Sequence, residues 1–250
     1  SMNIGVIPAR LASTRLPRKI LADLNGKPMI AHVMERSMQA KNLEKVILAI
    51  DSEETLDALG QFDFEMVMTS PDHISGTDRI AEVVKEIPEA EIIINIQGDE
   101  PLIEPDVIDS LVDSFEDDEV NISTVVSSKL TVSDLLNPNV VKAIVDENKD
   151  AIEFKRNIFD LEIGGVYRHI GLYGFRRDSL FHFTSLGPSV RETDSKLEQL
   201  RALDHGISIR AAVTRYDSFS VDTQSDLDKV TRIMETTGVA LDEDIENEKN

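Results

Sequence analysis

Short apolar runs alternate with segments of helical periodicity along the first half of the chain. The runs of aliphatic and β-branched residues predict strands, and the segments whose apolar residues recur every three or four positions predict helices. The apolar runs are residues 4–9, 45–51, 65–69, 91–96 and 121–127. There are three helical segments: one starts at Pro28, and the other two are residues 76–87 and 106–115. This βαβ alternation is typical of the α/β class, with a mostly parallel sheet and helices on both of its faces.

The pattern changes near residue 139. The runs 140–145, 152–155 and 169–175 predict antiparallel strands linked by turns, and the chain then returns to helix, strand and helix at 197–205, 208–213 and 224–236. We therefore predict one compact unit with three parts. An α/β core comprises residues 2–138 and 197–240, a smaller antiparallel lobe is inserted at 139–196, and an acidic tail follows at 241–250.

Composition and charge exclude several functions. The 250 residues carry a formal charge of −21, so the protein would be repelled by nucleic acid and by anionic membranes, and we expect neither as a partner. The absence of cysteine excludes disulfides and thiolate metal sites. Because no apolar run approaches the roughly 18 residues of a membrane span and no signal peptide is recognisable, we expect a cytoplasmic protein.

One short segment opposes the acidity of the chain. Arg10, Arg15, Arg18 and Lys19 fall within ten residues, directly after the first predicted strand. The segment 97–101, QGDEP, follows the fourth predicted strand in the same way and offers carboxylates. Ligands of open parallel sheets bind at the carboxyl ends of strands, where these cations and a carboxylate would suit a triphosphate with Mg²⁺. Taken singly, the basic segment could equally be a solvated turn, and the aspartate a turn-forming residue.

Two further segments could contribute to a site. Asp222 follows a short apolar run and precedes a predicted helix, so it is either a second metal carboxylate or a helix cap, and spacing does not decide between them. The segment 75–79, SGTDR, opens a predicted helix and either binds a base or phosphate or simply caps that helix. No G-x-G-x-x-G motif follows the first strand, which counts against dinucleotide binding.

Seven segments follow one another in a specific order and span nearly the whole chain: IPARLASTRLPRKILADLNGKPMIAHVMERS, SPDHISGTDRIAEVV, IINIQGDEPLI, NPNVVKAIVD, RHIGLYGFRRDSL, LEQLRALDHG and VDTQSDLDKV. In this order they resemble the 3-deoxy-manno-octulosonate cytidylyltransferases. The resemblance implies a nucleotide-binding α/β sheet with a smaller lobe that contacts the sugar and forms a homodimer. It also implies that CMP is transferred from CTP to the anomeric hydroxyl of an eight-carbon acid sugar, with release of pyrophosphate, in lipopolysaccharide biosynthesis.

The resemblance also assigns roles to individual residues. It places the CTP phosphates on Arg10, Ser13, Arg15 and Lys19, and the nucleotide base near Ser75, Gly76, Thr77 and Arg79. It implies Mg²⁺ as cofactor, held by Asp99 and Asp222. The acid sugar is assigned to Gln97, His169, Tyr173, Glu198 and Gln199, and we add Glu153 and Arg156 as candidate sugar residues. Catalysis would rest on positioning and charge neutralisation, through Arg10, Arg15, Lys19, Asp99 and Asp222.

The chain departs from the family in the sugar-facing part. Where the family usually reads Tyr-Phe-Ser-Arg, this chain reads Glu153-Phe154-Lys155-Arg156, and Ser195 replaces a usual glutamate. The segment 157–165 replaces a loop that normally contains proline and tryptophan. These changes favour the 8-amino-3,8-dideoxy sugar, with Glu153 as a candidate partner of its ammonium group.

Several alternatives stay open at this point. Glu153 and Lys155 could pair with each other, leaving the plain octulosonate as the preferred sugar. The acceptor could be another acid sugar, such as a sialic acid. A protein of a different class, which binds a nucleotide without catalysing a reaction, would keep the same fold.

Overall fold

The computed structural model describes residues 1–159 and 164–238. Its strands are β1 Met2–Ala9, β2 Asp23–Leu24, β3 Lys27–Pro28, β4 Lys45–Ile50, β5 Glu65–Met68, β6 Ala90–Asn95, β7 Ile122–Ser127, β8 Lys142–Val145, β9 Ala151–Lys155, β10 Val166–Arg176 and β11 Ile209–Thr214. Its α-helices are α1 Met29–Ser37, α2 Glu53–Ala58, α3 Gly76–Lys85, α4 Pro105–Asp113, α5 Val132–Leu136, α6 Arg177–Ser185, α7 Val190–Ser195, α8 Leu200–Asp204 and α9 Gln224–Ile233. The predicted acidic tail, 241–250, lies outside the described residues.

A mixed sheet of nine strands forms the centre of the described chain. The order is β11-β7-β10-β6-β1-β4-β5, with β8 beside β10 and β9 beside β8. β1 pairs in parallel with β4 and β6, β4 with β5, and β7 with β11. β10 runs antiparallel to β6, β7 and β8. The predicted α/β class with a mostly parallel sheet is therefore confirmed.

β10 connects the predicted lobe with the core. It begins beside β8 and then runs between β6 and β7, so β8, β9 and β10 of the segment 139–196 all belong to the central sheet and β10 separates two strands of the predicted core. The register with β7 shifts between Ile170 and Tyr173. The division of the chain into a core and an inserted lobe stays a prediction, and β10 is the element that the two parts would share.

Helices cover both faces of the sheet because successive side chains of a strand point to opposite faces. Ile4 and Val6 of β1 belong to a hydrophobic cluster that includes residues of α3, α6 and α8. Ile7 and Ala9 belong to the opposite cluster, with residues of α1 and α4. β1 is thus apolar on both faces, as expected of a central strand in a parallel sheet.

A third, smaller cluster fixes the position of α9. Leu227 and Val230 of this helix pack with Leu24, Met29 and Val221, beside the hairpin formed by β2 and β3. This packing places the residues just before α9, including Asp222, next to the loop that follows β1.

The sequence pattern does not predict four of the helices: α2, α5, α6 and α7. Three of them, α2, α5 and α7, have five or six residues, too few turns for apolar periodicity to stand out. The fourth, α6, has nine residues, but its apolar side chains, Leu180, Phe181 and Phe183, lie within one turn and do not repeat along the helix. The predicted helix at 197–205 begins later, at Leu200, because Lys196 ends α7 in the left-handed conformation, with φ of 56°. None of the helices among the described residues is long and apolar enough to cross a membrane.

Gly174 in β10 occupies a position with no room for a side chain. A Cβ here would lie 2.6 Å from Phe115 Cε2, 2.7 Å from Ser123 Oγ and 3.1 Å from Ile94 Cδ1. We expect Gly174→Ala to lower the free energy of unfolding by about 1–3 kcal/mol, the usual cost of overpacking a core. Urea denaturation measures this change, with Gly171→Ala on the same strand as the matched control, since nothing lies within 4 Å of a Cβ there. Equal stability of the two variants would contradict this account.

Candidate active site

A cleft of about 390 Å³ opens where the carboxyl ends of β1 and β6 meet at one edge of the sheet. Its walls come from the loop after β1, the start of α3, the segment after β6 and the segment before α9. The basic segment and the QGDEP segment therefore share this edge. The cleft brings together the predicted residues Arg10, Ser13, Lys19, Ser75, Gly76, Arg79, Gln97, Asp99, Glu198 and Asp222.

The loop after β1 is held in shape by its own polar groups. Ser13 Oγ donates a short hydrogen bond to Leu16 O and accepts one from the Lys19 N–H at 3.2 Å. The Leu11 N–H donates to Asp51 Oδ1 at 2.9 Å, at the carboxyl end of β4. Ser13 thus shapes the loop as well as lining the cleft, and Lys19 extends from a fixed backbone.

The ammonium group of Lys19 lies between two carboxylates. Its Nζ is 3.9 Å from Asp99 Oδ2 and 3.5 Å from Asp222 Oδ1, and it donates to Val221 O at 3.3 Å. Arg15 does not line the cleft, but its Nη1 donates to Asp222 Oδ2 at 3.0 Å. The predicted catalytic residues are therefore neighbours, with Arg15 connected to the others through Asp222.

Negative charge is concentrated around this ammonium group. Burial, the largest cause, raises the pKa of the Asp99 carboxyl, Lys19 opposes the rise, and Asp222 and Asp226 add to it. Burial also raises the pKa of the neighbouring Glu100 to about 7, with a further contribution from the charge of Asp99. A cation next to Asp99 and Asp222 lowers this mutual repulsion.

Asp99 and Asp222 form a donor set that fits Mg²⁺. This ion is usually bound through one or two carboxylates, while substrate phosphates and water complete its octahedral shell. Within residues 1–159 and 164–238, no cluster of three or more His, Cys, Asp or Glu side chains could enclose a metal ion. The two carboxylates therefore suit a metal that binds together with phosphates.

Arg79 is buried in the wall of the cleft and is already engaged. Its Nη1 donates to Thr69 Oγ1 at 2.6 Å and to Ser70 O at 2.7 Å, and its Nη2 is 3.8 Å from Asp51 Oδ2. Because Asp51 also accepts from the loop after β1, it connects two sides of the cleft. Sequence reasoning missed Asp51, although an acidic residue directly after the apolar run of β4 was a usable signal.

The start of α3 presents small residues to the cleft. Ser75 caps the helix, since its Oγ accepts the Asp78 N–H at 3.1 Å. Gly76 packs closely on β1, where an added Cβ would be 3.0 Å from Pro8 Cγ. Thr77 is buried and lines a small cavity that Glu198 also lines. Capping and close packing are structural roles, and contact of this segment with a base stays a prediction.

A second cleft, of about 340 Å³, contains three more of the predicted sugar residues. His169 and Tyr173 of β10 line it together with Gln199. Gln199 directly follows Glu198 of the first cleft, so the two clefts are neighbours. Sequence reasoning missed Arg168, which lines the second cleft and donates through Nη2 to Asp217 Oδ1 at 2.8 Å. Its signal was a cation next to the histidine in the segment RHIGLYGF.

His169 is neutral, and its neighbours determine its tautomer. Burial lowers the pKa of His169 to about 3. Thr124 Oγ1 donates its one hydrogen to Leu172 O at 2.7 Å, so it must accept from His169 Nε2 at 2.9 Å. The other ring nitrogen, Nδ1, then remains an acceptor, 3.5 Å from Gln199 Nε2.

Glu153 and Arg156 line neither cleft. Both carboxylate oxygens of Glu153 lie 2.8 Å from Arg191 Nη1, so the ion-pair partner of Glu153 is Arg191 rather than Lys155. Arg156 Nε donates to Ser195 O at 2.8 Å. These bonds stabilise the segment 139–196, and contact of either side chain with a sugar stays a prediction. Residues 160–163 of the altered loop lie outside the described residues.

The chain matches known proteins over most of its length. A family model described as cytidylyltransferase matches residues 4–209. The chain therefore belongs to the cytidylyltransferase family, whose nucleotide-binding fold agrees with the cleft at the edge of the sheet.

Within this family, the similarity is to one group of enzymes. The 3-deoxy-manno-octulosonate cytidylyltransferase of Geobacter sulfurreducens is 44% identical over 92% of this chain and 98% of its own length, and that of Geobacter metallireducens is 44% identical over 90% and 95%. The solved structure of a CMP:2-keto-3-deoxy-manno-octonic acid synthetase complexed with CTP is 37% identical, with a TM-score of 0.88, and the match covers 94% of this chain and 99% of that one. The resemblance indicated by the seven sequence segments is confirmed.

We expect His169 to stay neutral in the folded protein throughout the range from about pH 8 to pH 5. Its folded pKa of about 3 lies below the ordinary value of 6.5, so only the unfolded chain takes up a proton there as the pH falls. His169 therefore makes the folded state less stable as the pH falls from 6.5 towards 3.

NMR of the histidine rings measures this directly, and the signal that disappears in His169→Gln identifies the residue. The expected spectrum shows a protonated Nε2 and an unprotonated Nδ1 that do not titrate near neutral pH. A ring that titrates there would contradict the buried hydrogen-bond arrangement.

Proposed function

We propose that this protein transfers CMP from CTP to the anomeric hydroxyl of an octulosonate and releases pyrophosphate. The observation that carries the proposal is the ammonium of Lys19 between Asp99 and Asp222, in a cleft that also contains Arg10. Similarity to proteins named for this reaction supports the same assignment. We infer that the reaction serves lipopolysaccharide biosynthesis in the cytoplasm.

The side chains that line the two clefts support binding of CTP in the first cleft and of the acid sugar in the second. The first cleft offers cations to a triphosphate, because Arg10 and Lys19 line it. The second offers a neutral histidine, an amide and Arg168 to an acid sugar. Since the clefts are neighbours, a sugar hydroxyl in the second would face the α-phosphate of CTP in the first, and positioning of this kind lowers the barrier.

The attacking group is the hydroxyl of the sugar, so the reaction needs no nucleophile from the protein. The sugar oxygen bonds to the α-phosphorus and releases its proton to water, while the bond between the α-phosphorus and pyrophosphate breaks. Arg10 and Lys19 would stabilise the negative charge that develops on the leaving pyrophosphate. Asp99 and Asp222 would hold Mg²⁺. A bound Mg²⁺ supplies a Lewis acid that polarises the α-phosphate and lowers the pKa of the attacking hydroxyl.

The choice between the two octulosonates depends on the altered sugar-facing segment. The carboxylate of Glu153 is bonded to Arg191, so an ammonium group would have to compete with a guanidinium for it. The structure therefore gives no support to Glu153 as the ammonium partner. The preference for the 8-amino sugar stays a prediction from the departures at Glu153, Lys155 and Ser195.

Pyrophosphate release tests the proposed reaction. With CTP, Mg²⁺ and either octulosonate, we expect release that depends on the sugar. Asp222→Asn should lower turnover by about 100-fold or more. Mutating a residue that only hydrogen-bonds a metal ligand already lowers activity by about 10- to 100-fold, and Asp222 is proposed as a ligand itself. The matched control is Asp228→Asn, an exposed position on the adjoining helix α9. Binding of CTP without any pyrophosphate release would favour the non-catalytic alternative.

The same assay, run with both sugars side by side, decides the acceptor. A higher kcat/KM for the 8-amino sugar would support the specialised preference, because a site built for an ammonium matches a hydroxyl less well. Equal or better use of the plain sugar would refute it. Activity with a sialic acid alone would replace the octulosonate assignment.

We further propose that the chain forms a homodimer through the segment predicted as a lobe. Exposed apolar side chains lie in this segment, with Phe159 81%, Val190 77% and Ile152 54% exposed, and on α5 just before it, with Val132 79% and Leu136 59% exposed. The Ile158 N–H donates to Leu135 O at 2.9 Å, which brings the α5 residues close to Phe159. An apolar surface of this kind is typical of a protein–protein contact.

Light scattering at micromolar concentration should give the mass of a dimer. Replacing two of these residues, in Ile152→Asp/Phe159→Asp, should give a monomer, because charge at the centre of an apolar contact is strongly unfavourable. Met38→Asp, at an exposed apolar residue outside this segment, is the control and should remain a dimer. A monomeric parent protein would refute the proposal.

A further inference from the structure

Asp222 reaches the cleft on a segment without regular secondary structure. This segment, residues 215–222, connects β11 with α9. A carboxylate on such a segment keeps its place only if other bonds hold the backbone. The contacts made by residues 216–221, together with the packing of α9, therefore set the distance from Asp222 to Asp99.

Glu100 makes two of these contacts. It is buried, with 4% of its surface exposed, and directly follows Asp99. Its Oε2 accepts from the Tyr216 hydroxyl at 3.1 Å, and its Oε1 accepts a short hydrogen bond from Ser218 Oγ. One buried side chain next to Asp99 thus holds two residues of the segment that carries Asp222.

Other hydrogen bonds hold the segment 215–222 in addition to those of Glu100. The Val221 N–H donates to Asp99 O at 2.9 Å, so the backbones next to the two carboxylates are also joined directly. Ser127 Oγ donates to Tyr216 O at 2.7 Å, and Arg168 Nη2 donates to Asp217 Oδ1 at 2.8 Å. The last two bonds attach the segment to β7 and β10, whereas the hydrogen bonds of Glu100 and Val221 attach it to the residues around Asp99.

We propose that Glu100 is a positioning residue that sets the separation of Asp99 and Asp222 through Tyr216 and Ser218. The inference rests on the proposed function, in which these two carboxylates hold Mg²⁺. Outer hydrogen bonds that orient metal ligands typically contribute 10- to 100-fold to metal affinity or activity. Buried carboxylates are costly unless fully hydrogen-bonded, so the pair of hydroxyl donors also explains how Glu100 is accommodated.

The test uses the double variant Tyr216→Phe/Ser218→Ala, which removes both hydroxyl donors and keeps the aromatic ring. The matched control is Ser128→Ala, which removes a bond to the residue just before the segment, from Ser128 Oγ to Thr214 O at 3.4 Å. The first readout, hydrogen–deuterium exchange of residues 215–222, does not depend on activity. We expect faster exchange there in the double variant, and at the Val221 N–H above all, with little change elsewhere.

The second readout is the dependence of the rate on Mg²⁺ concentration. We expect the double variant to need about 10- to 100-fold more Mg²⁺ for half-maximal rate, with a smaller change in the KM for CTP. Glu100→Gln, which can still bond both hydroxyls, should retain more activity than Glu100→Ala. A role in stability alone would lower the thermal midpoint without shifting the Mg²⁺ dependence.

Three outcomes would overturn the inference. They are unchanged exchange at residues 215–222, a Mg²⁺ dependence equal to that of Ser128→Ala, and equal activity of Glu100→Gln and Glu100→Ala. If the double variant does not fold, Tyr216→Phe alone gives the same comparison with a smaller expected shift. Failure of the proposed function is distinguishable, because the parent protein itself would then release no pyrophosphate.

Discussion

The contact of the Lys19 ammonium with Asp99 and Asp222 is the interaction on which the site depends. The three side chains come from the loop after β1, the segment after β6 and the segment before α9. Two carboxylates repel each other, and the chain as a whole carries a charge of −21. They stay close because the cations of Lys19 and Arg15 lie against them and balance part of this charge.

The fold supplies what this charge cluster needs. β1 and β6 are parallel neighbours, so the loops that follow them open at one edge of the sheet. The hydrophobic cluster around Val221 and α9 places the third segment beside them. Asp51 then joins the loop after β1 to buried Arg79, so the wall opposite the carboxylates is fixed as well. In each case apolar packing positions the backbone, and a few buried polar bonds orient the charges.

The partners of the residues that differ from the family pattern become clear only in the folded chain. Glu153, Lys155 and Ser195 all differ from the usual family pattern, and the sequence alone suggests that the first two could pair. In the fold, Glu153 bonds Arg191, and the carbonyl of Ser195 accepts from Arg156. Both bonds connect α7 and its C-terminal end to β9 and the residue that follows it. The bond at Ser195 uses a backbone carbonyl that any residue would supply, so among these replacements it is Glu153 that adds a bond within the predicted lobe, whichever sugar the lobe contacts.

The sequence by itself determined the strands and longer helices of the α/β core, and it located the basic segment and both carboxylates of the first cleft. These features follow from periodicity and from the order of short segments, which are properties of neighbouring residues. Only the tertiary structure decided that β10 runs antiparallel inside the sheet, that Arg15 bonds Asp222, and that Arg168 lines the second cleft. It also decided that Asp51 and Glu100 hold segments that carry residues of the first cleft. The reason is physical: a local pattern shows which face a residue presents, whereas strand order and charge pairing depend on contacts between residues far apart in the chain.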